Sequence, residues 1–471
     1  MKDMKENRSL TSYLIFITFI ATLGGLLFGY DTAVISGAER SLQVFFADAL
    51  GLSSFVHGMT VSSSLIGCVI GGIISGFFQN NIGRKKSLII AAILFLISAL
   101  GSGYPEFLFF NFGEPSIALL IMFNIYRVIG GVGVGMASAI CPTYISEMAP
   151  QSVRGSLVSW YQFAVIFGQV VVYFVNYAIA SGQSIQWINA IGWRWMFASE
   201  AIPAFSFLVL LFFVPETPRY LVSIDRSEEA LGILEKLNGS KTQAKRIVQD
   251  IYHSLNENIQ SAGLFSYGKK VIVVGVLISV FQQFIGINVA LYYAPRIFES
   301  MGAGQNASLF QTIVMGIVNV LFTLVAIKKV DSLGRRPLLI AGSIGMAIGM
   351  FGVSFLSYAK IFSIWTLVFI IFYTASFMMS WGPVCWVILS EIFPNRIRGQ
   401  AMAIAVAAQW LANFFISSTY PPMMNYSGAL TYAFYGIMSI LSALFVWKMV
   451  PETMGRSLEE LETIWIEDSI N

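Results

Sequence analysis

Long apolar runs separated by short polar segments follow one another along the whole chain. A transmembrane helix needs about 20 predominantly apolar residues, and the runs have about this length or more. The uncharged segment 399–447 is long enough for two helices, and Pro421-Pro422 together with Asn425-Tyr426-Ser427-Gly428 indicates a turn between them. The pattern predicts twelve transmembrane helices, near 13–36, 57–80, 87–105, 118–141, 155–180, 193–214, 270–297, 306–328, 336–358, 362–389, 399–420 and 429–448.

Composition agrees with a membrane location. Apolar residues make up 56% of the 471 residues and charged residues only 11%, whereas an average soluble chain carries about 25% charged residues. This composition excludes a soluble enzyme, a nucleic-acid-binding protein and a disordered scaffold. Apolar runs of this length also exclude a β-barrel, whose strands alternate over about 10 residues. We therefore expect an all-α membrane protein that is not an enzyme.

The positions of Lys and Arg predict the orientation, because cytoplasmic loops carry an excess of basic residues. If both termini are cytoplasmic, nearly all of the 28 basic residues fall on the cytoplasmic side. The outer side then receives only Arg40, Arg194, Arg296 and Lys360. We therefore expect both termini in the cytoplasm, and the first apolar run is a retained transmembrane helix.

Short motifs recur in the two groups of six predicted helices. Three motifs occur once in each group: Gly83-Arg84-Lys85 and Gly334-Arg335-Arg336, Ser146-Glu147 and Ser390-Glu391, Pro215-Glu216-Thr217 and Pro451-Glu452-Thr453. Two related halves around a midplane site are typical of secondary transporters that work by alternating access. We predict two pseudo-symmetric six-helix halves, 1–215 and 269–450, with a short cytoplasmic helical linker at 216–268 and a cytoplasmic tail at 451–471.

Small and sulfur-containing residues in the apolar runs indicate packing rather than chemistry. The glycine run at 130–135 lies inside a predicted span and follows no strand, so close helix packing is favoured over a dinucleotide loop. Cys68, Cys141 and Cys385 lie in apolar runs without metal-ligand spacing. We expect no disulfide framework, no metal site and no cofactor.

Three ionisable residues fall inside predicted spans of the first half: Asp31, Arg127 and Glu200. Ionisable groups within a membrane are costly and indicate function. A buried Arg needs a carboxylate partner, which Asp31 or Glu200 can provide. Two interpretations stay open, a purely structural ion pair and a proton-binding site whose carboxyl is charged or neutral as the protein moves.

The second half carries neutral polar and aromatic side chains in its predicted spans instead of charges. Amides donate and accept hydrogen bonds at once, which suits the hydroxyls of a neutral polyol. Each amide is equally well explained as a contact between helices. Gly286 and Pro295 indicate a break in the seventh span, and Gly382-Pro383 indicates a hinge in the tenth.

At these residues the chain resembles the sugar porter family of the major facilitator superfamily. The resemblance covers essentially the whole chain, and within the family it is greatest to the bacterial D-xylose–proton symporters. The matching marks are Gly83-Arg84-Lys85, Arg154-Gly155, Pro215-Glu216-Thr217-Pro218-Arg219, Gln282-Gln283 with Gly286 and Asn288, Gly334-Arg335-Arg336, Pro451-Glu452-Thr453, and the segments 21–37, 380–386 and 403–413.

The resemblance implies the major facilitator fold and a role for each matching residue. The implied sugar-binding residues are Phe28, Gln162, Gln282, Gln283, Asn288, Tyr292, Asn319, Trp386, Gln409 and Trp410. The implied proton-coupling pair is Asp31 and Arg127. Glu200 joins this pair as a candidate because it is the third ionisable residue inside the predicted spans. The implied gating charges, which hold the outward-open state, are Glu147, Arg154, Glu216, Arg219, Asp331, Arg335, Glu391 and Arg398.

The predicted function is proton-coupled uptake of a neutral monosaccharide, D-xylose above others, across the bacterial cytoplasmic (inner) membrane. Facilitative relatives commonly carry Asn where this chain has Asp31, which favours symport. A symporter for glucose, galactose or arabinose, an uncoupled uniporter and a membrane sugar sensor are the alternatives. The expected partners are the sugar, a proton and the lipid bilayer, with no nucleic acid, and the chain is expected to act as a monomer.

Overall fold

The computed structural model describes residues 12–107, 109–150, 153–238, 240–256, 263–300, 302–361, 364–394 and 397–454. Within these ranges twelve helices are long and apolar enough to cross a membrane, which confirms the predicted number. We label them α1 to α12 in chain order: Ser12–Asp48, Ser54–Asn81, Arg84–Gly103, Ile117–Met148, Arg154–Ala180, Ile185–Leu211, Lys269–Tyr292, Gln305–Ala326, Arg335–Ala359, Ile364–Ile392, Arg398–Tyr426 and Gly428–Met449.

The linker between the two groups of six helices forms three short helices, Pro218–Ser223, Ser227–Asn238 and Lys241–Asn256. They pack on one another through the buried side chains of Leu221, Val222 and Ala230. We call the side of the bundle that carries them the linker face, and the opposite side the distal face. The distal face carries the connections between α1 and α2 and between α7 and α8.

Glycines bring the backbones of α2 and α4 into direct contact. A Cβ atom added to Gly71 would lie 2.2 Å from the carbonyl oxygen of Val132, and one added to Gly131 would lie 1.8 Å from that of Ser64. Helices in lipid associate through such close packing of small residues. The glycine run of α4 therefore serves helix packing, as predicted.

The turn predicted between the last two helices is present, but it lies at Ser427, within the predicted 425–428 segment, and not at Pro421-Pro422. α11 continues through both prolines to Tyr426, and the chain turns only at Ser427, which caps α12. Pro421 has no N–H to donate to the carbonyl of Ser417, but the Tyr293 hydroxyl donates to that oxygen at 3.0 Å. A donor from a neighbouring helix thus compensates for the missing bond and lets the helix continue.

α6 is interrupted at Ser199-Glu200, and α7 and α10 are interrupted as well. α7 breaks at Gly286, whose φ of +90° is in the left-handed region, as predicted. The Tyr373 hydroxyl donates to the freed carbonyl of Ile285 at 2.8 Å. α10 breaks at Ser380 rather than at the predicted Gly382-Pro383, because Pro383 cannot donate to the carbonyl four residues before it.

Candidate functional site

A cavity lies between the two halves, with an empty volume of about 850 Å³ when the space open to solvent is included. The structure brings together all of the predicted sugar-binding residues except Asn319. The predicted residues that line it are Phe28, Gln162, Gln282, Gln283, Asn288, Tyr292, Trp386, Gln409 and Trp410. The unpredicted lining residues include Thr32, Val165, Ile166, Ile287, Leu291, Thr323, Phe377 and Met378.

Three amides in the cavity wall form a directional hydrogen-bond relay. Gln282 Nε2 donates to the carbonyl oxygen of Trp381 at 3.0 Å, and this carbonyl can only accept. Gln283 Nε2 then donates to Gln282 Oε1 at 3.2 Å, and Asn288 Nδ2 donates to Gln283 Oε1 at 2.5 Å. The relay fixes the orientation of each amide, so a ligand meets a defined set of free donors and acceptors.

Aromatic rings and further amides complete the cavity. The rings of Phe28 and Trp410 are 5.8 Å apart, centroid to centroid, and join α1 of the first half to α11 of the second. Asn413 Nδ2 donates to the Tyr292 hydroxyl at 3.3 Å. Gln409 Oε1 is buried and has no hydrogen-bond partner in the structure. Flat rings beside unsatisfied amides suit a ligand with one apolar face and several hydroxyl groups.

Asn319 does not line the cavity in this conformation. Its side chain is 1% exposed, and both of its amide atoms are without a hydrogen-bond partner in the structure. One turn along α8, Thr323 reaches the cavity wall and donates to the Asn319 carbonyl at 2.8 Å. The cavity lining of this conformation therefore does not include the predicted sugar contact of Asn319.

The predicted partnership of Asp31 and Arg127 is present in the structure. Arg127 Nη1 donates to Asp31 Oδ1 at 2.7 Å, and Nη2 donates to the Asp31 main-chain carbonyl at 3.1 Å. Both side chains are at most 1% exposed. The guanidinium also lies 5.1 Å from the centre of the Phe197 ring. A buried pair held this way is costly to break on one side only.

Glu200 is the second carboxyl of this site. It is fully buried, interacts electrostatically with Asp31 and Arg127, and neither of its oxygens has a hydrogen-bond partner in the structure. One guanidinium therefore faces two carboxyl groups. Because an uncompensated buried charge is very unfavourable, one guanidinium can balance only one of the two carboxylates. The arrangement is chemically suited to bind and release a proton.

Tyr292 connects the cavity with the charged site. Its ring lines the cavity, and its hydroxyl interacts electrostatically with both Asp31 and Arg127. α1 also contributes Phe28 and Thr32 to the cavity and Asp31 to the ion pair. The cavity and the Asp31–Arg127 ion pair therefore share helix α1.

On the linker face, the sequence repeat corresponds to a repeated structure. Glu216 accepts hydrogen bonds from the main-chain N–H groups of Arg84 and Lys85, and Glu452 accepts from those of Arg335 and Arg336. Each glutamate thus caps the first turn of α3 or α9. Burial raises the pKa of Glu216, although the N–H donors and Arg84 oppose the shift.

The predicted gating charges pair within each half in this conformation. Arg84 Nη2 lies 2.8 Å from Glu147 Oε1, and Arg335 Nη2 lies 3.1 Å from Glu391 Oε1. Glu147 and Glu391 thus each pair with an arginine of their own half. Three further predicted gating residues are placed as follows: Arg154 and Arg219 are exposed, and Arg398 donates to the carbonyl of Phe393 at 3.2 Å. The side chain of Asp331 lies outside the described part of the chain.

The two halves are joined on the distal side. Arg296 Nη1 donates to Glu39 Oε1 at 2.5 Å, and Arg40 Nη1 donates to Glu299 Oε2 at 2.7 Å. The hydroxyls of Ser62 and Ser418 are 2.6 Å apart where α2 crosses α11. The distal side of the cavity is thus closed in this structure.

Sequence reasoning missed Glu39 and His57, which form a buried pair with 2.6 Å between Oε1 and Nε2. The predicted first span ended at 36, but α1 continues to Asp48, so Glu39 is part of the helix. Glu39 lies about two helical turns beyond Asp31 in α1. This spacing is the sequence feature from which Glu39 could have been predicted.

A family model described as Sugar (and other) transporter matches residues 17–465. The chain belongs to this family. The sugar porter assignment within the major facilitator superfamily is thus confirmed, and the family consists of transporters rather than enzymes. The D-xylose-proton symporter of Escherichia coli (strain K12) is 52% identical over 97% of this chain and 96% of its own length.

Other sugar transporters are also similar. The arabinose-proton symporter of Bacillus subtilis is 42% identical over 97% of this chain and 96% of its own length. The inward-open conformation of the xylose transporter XylE from E. coli superposes with a TM-score of 0.88 at 51% identity, covering 96% of this chain and all of that one. XylE bound to 6-bromo-6-deoxy-D-glucose gives a TM-score of 0.80 at 51% identity, covering 97% and 100%.

Proposed function

We propose that this sugar transporter takes up D-xylose together with a proton, and that its two halves, 1–215 and 269–450, rock about the central cavity. The observation that carries the proposal is the buried Asp31–Arg127 pair on the helix that also lines the amide cavity. The E. coli D-xylose-proton symporter, at 52% identity, supports xylose as the substrate. The Bacillus subtilis relative makes arabinose the second candidate.

In the proposed complex the sugar lies between the amide relay of α7 and the rings of α10 and α11. The free N–H groups of Gln282 and Gln283 donate to sugar hydroxyls, and Gln162 reaches them from the first half. The Trp386 and Trp410 rings cover the C–H face. Because none of the described residues that line the cavity is charged, a neutral ligand is favoured.

The proposed coupling uses the single guanidinium that two carboxyls share. When Asp31 binds a proton, Arg127 loses its counter-charge and turns to Glu200. This exchange changes the contact between α1 and α4 and permits the rocking step once sugar is bound. One proton crossing about 150 mV provides roughly 3.5 kcal/mol, which supports a sugar gradient of a few hundred-fold.

We further propose that the linker face is cytoplasmic, with both termini on that side, and that one chain in the bacterial inner membrane is the working unit. The basic clusters at 84–86 and 335–336 lie at this face, which agrees with the positive-inside rule. The closed distal side is then the outer side, and the TM-score of 0.88 to inward-open XylE supports this orientation.

The test is uptake by proteoliposomes of labelled xylose, arabinose, glucose and galactose, with and without an inward proton gradient. We expect gradient-driven accumulation of xylose above the other three sugars, and only equilibration without the gradient. Accumulation that ignores the gradient would contradict symport. Preference for another of the four sugars would contradict the xylose assignment and leave symport intact.

A further inference from the structure

The distal side contains a buried cluster of charged groups that the proposed transport mechanism does not use. Glu39 Oε1 accepts hydrogen bonds from two donors, His57 Nε2 at 2.6 Å and Arg296 Nη1 at 2.5 Å. His57 and Glu39 are 3% and 1% exposed. Arg296 Nη1 also donates to Gln43 Oε1 at 2.7 Å, which holds the guanidinium in place.

The three groups belong to different halves. Glu39 on α1 and His57 on α2 are in the first half, whereas Arg296 follows α7 in the second half. Separation of the halves on the distal side would therefore remove Arg296 from Glu39 and leave the Glu39–His57 pair together. Opening breaks one of the two bonds to the same carboxylate oxygen.

We propose that Glu39, His57 and Arg296 form a pH-sensitive latch of the distal gate, which opens more readily when His57 is protonated. With the gate closed, Arg296 balances the charge of Glu39, and a second cation on His57 is redundant. With the gate open, Glu39 has only His57 nearby, and protonated His57 supplies the missing counter-charge. By linkage, protonation of His57 then favours the open state.

Several other ionisable groups face the latch. Glu299, Tyr293, Tyr420 and Tyr432 interact electrostatically with Glu39 or Arg296, and Arg40 pairs with Glu299. Arginine keeps its charge and tyrosine its proton at neutral pH. Burial raises the pKa of Glu299, and its partner Arg40 opposes the shift. Histidine is the side chain type whose charge commonly changes around neutral pH, which makes His57 the candidate sensor of the cluster.

The inference rests on the proposed alternating access and gives it a regulatory property. If the distal side is the outer side, acid outside the cell favours the conformation that admits sugar from outside. The latch would then open toward the side with more protons, where the driving force for symport is present.

Distance measurements between spin labels can test the latch without sugar transport. Phe55 and Asn306 are exposed at the distal ends of α2 and α8, one in each half, and become Cys for labelling. The chain's own three cysteines are buried. The background is Asp31→Asn, which removes the principal proton site. Distances are recorded in proteoliposomes at about pH 5.5 and about pH 8, on either side of the ordinary histidine pKa.

We expect the long-distance, distal-open population to be several-fold larger at the lower pH. His57→Gln keeps a hydrogen-bond donor but does not titrate, so it should remove the pH dependence. Arg296→Gln should open the distal side at both pH values. Arg40→Gln and Glu299→Gln, which remove the neighbouring pair, should retain the pH dependence.

A pH dependence that persists in His57→Gln would overturn the proposal and assign the response to Glu200 or Glu299. An unchanged population in Arg296→Gln would show that Arg296 does not hold the gate, which also overturns it. Because the measurement needs no sugar, its failure is distinguishable from a failure of the proposed symport.

Discussion

The two halves of the bundle bury different chemistry near the middle of the membrane. The first half buries Asp31, Arg127 and Glu200, which are all charged or titratable. The second half presents the amide relay and the indole rings of α10 and α11 to the cavity. A neutral sugar needs hydrogen bonds, whereas a proton needs a titratable group. The comparison suggests that one half senses the proton and the other binds most of the sugar.

Arg127→Gln should break this division most severely. It leaves two buried carboxyls without a counter-charge, and loss of one partner of a buried pair costs about 3–5 kcal/mol. We expect loss of gradient-driven xylose accumulation and a lower unfolding temperature in detergent. Arg127→Lys keeps the charge but loses the double contact to Asp31, so it should be intermediate. Parental accumulation in Arg127→Gln would show that the charged half is not needed for coupling.

Gln283→Ala should impair binding without affecting the charged half. It interrupts the relay between Gln282 and Asn288, and a lost hydrogen bond in a closed site costs about 1–3 kcal/mol. Xylose affinity by calorimetry should fall roughly 5- to 150-fold. Asn319→Ala is the matched control, because Asn319 is buried outside the cavity, and its effect should be smaller. An equal loss of xylose affinity in the two variants would contradict the assignment of Gln283, but not Asn319, to the cavity wall of this conformation.

Combined Arg154→Gln and Arg398→Gln substitutions should have the smallest effect, on the balance between conformations. Arg154 is exposed here, and Arg398 contacts only a carbonyl among the hydrogen bonds described, so this conformation loses little. We propose that in the opposite conformation, which is closed on the linker face, Arg154 and Arg398 pair with carboxylates of the other half. The substitutions remove these pairs, so the population should shift toward the conformation with the closed distal side. A cysteine on the distal face should react more slowly with a thiol reagent. Arg246→Gln, an exposed arginine of the linker helix Lys241–Asn256 outside the gating set, is the control. Reaction as fast as in the parent would contradict the gating assignment.

The number of helices and the Asp31–Arg127 pair were predictable because few residue types suit a membrane interior. Lipid-facing surfaces must be apolar over the full span. Few carboxylates lie in the predicted spans, so few residues could pair with an intramembrane Arg. The continuation of α11 through Pro421 was not predictable, since it depends on a hydroxyl from α7. The Glu39–Arg296 contact was not predictable either, because it also depends on two helices that are distant in sequence and belong to different halves.

Whether Asn319 contacts the sugar was not predictable from one sequence, because the answer depends on conformation. The residue lies on α8 beside the cavity wall, one turn from Thr323. In contrast, the amides of α7 reach the cavity because the break at Gly286 directs Asn288 toward Gln283. The sequence predicted this break, because Gly286 lies in the middle of the seventh predicted span.

The most direct test of the division between the halves is Asp31→Asn in proteoliposomes, assayed for accumulation and for sugar–sugar counterflow in the same preparation. Asn at this position imitates the protonated carboxyl and cannot release a proton. The account predicts that proton-driven xylose accumulation is lost, whereas xylose binding and counterflow persist. Accumulation at the parental level would contradict it and shift the proton site to Glu200. Loss of binding together with accumulation would show that Asp31 has a structural role.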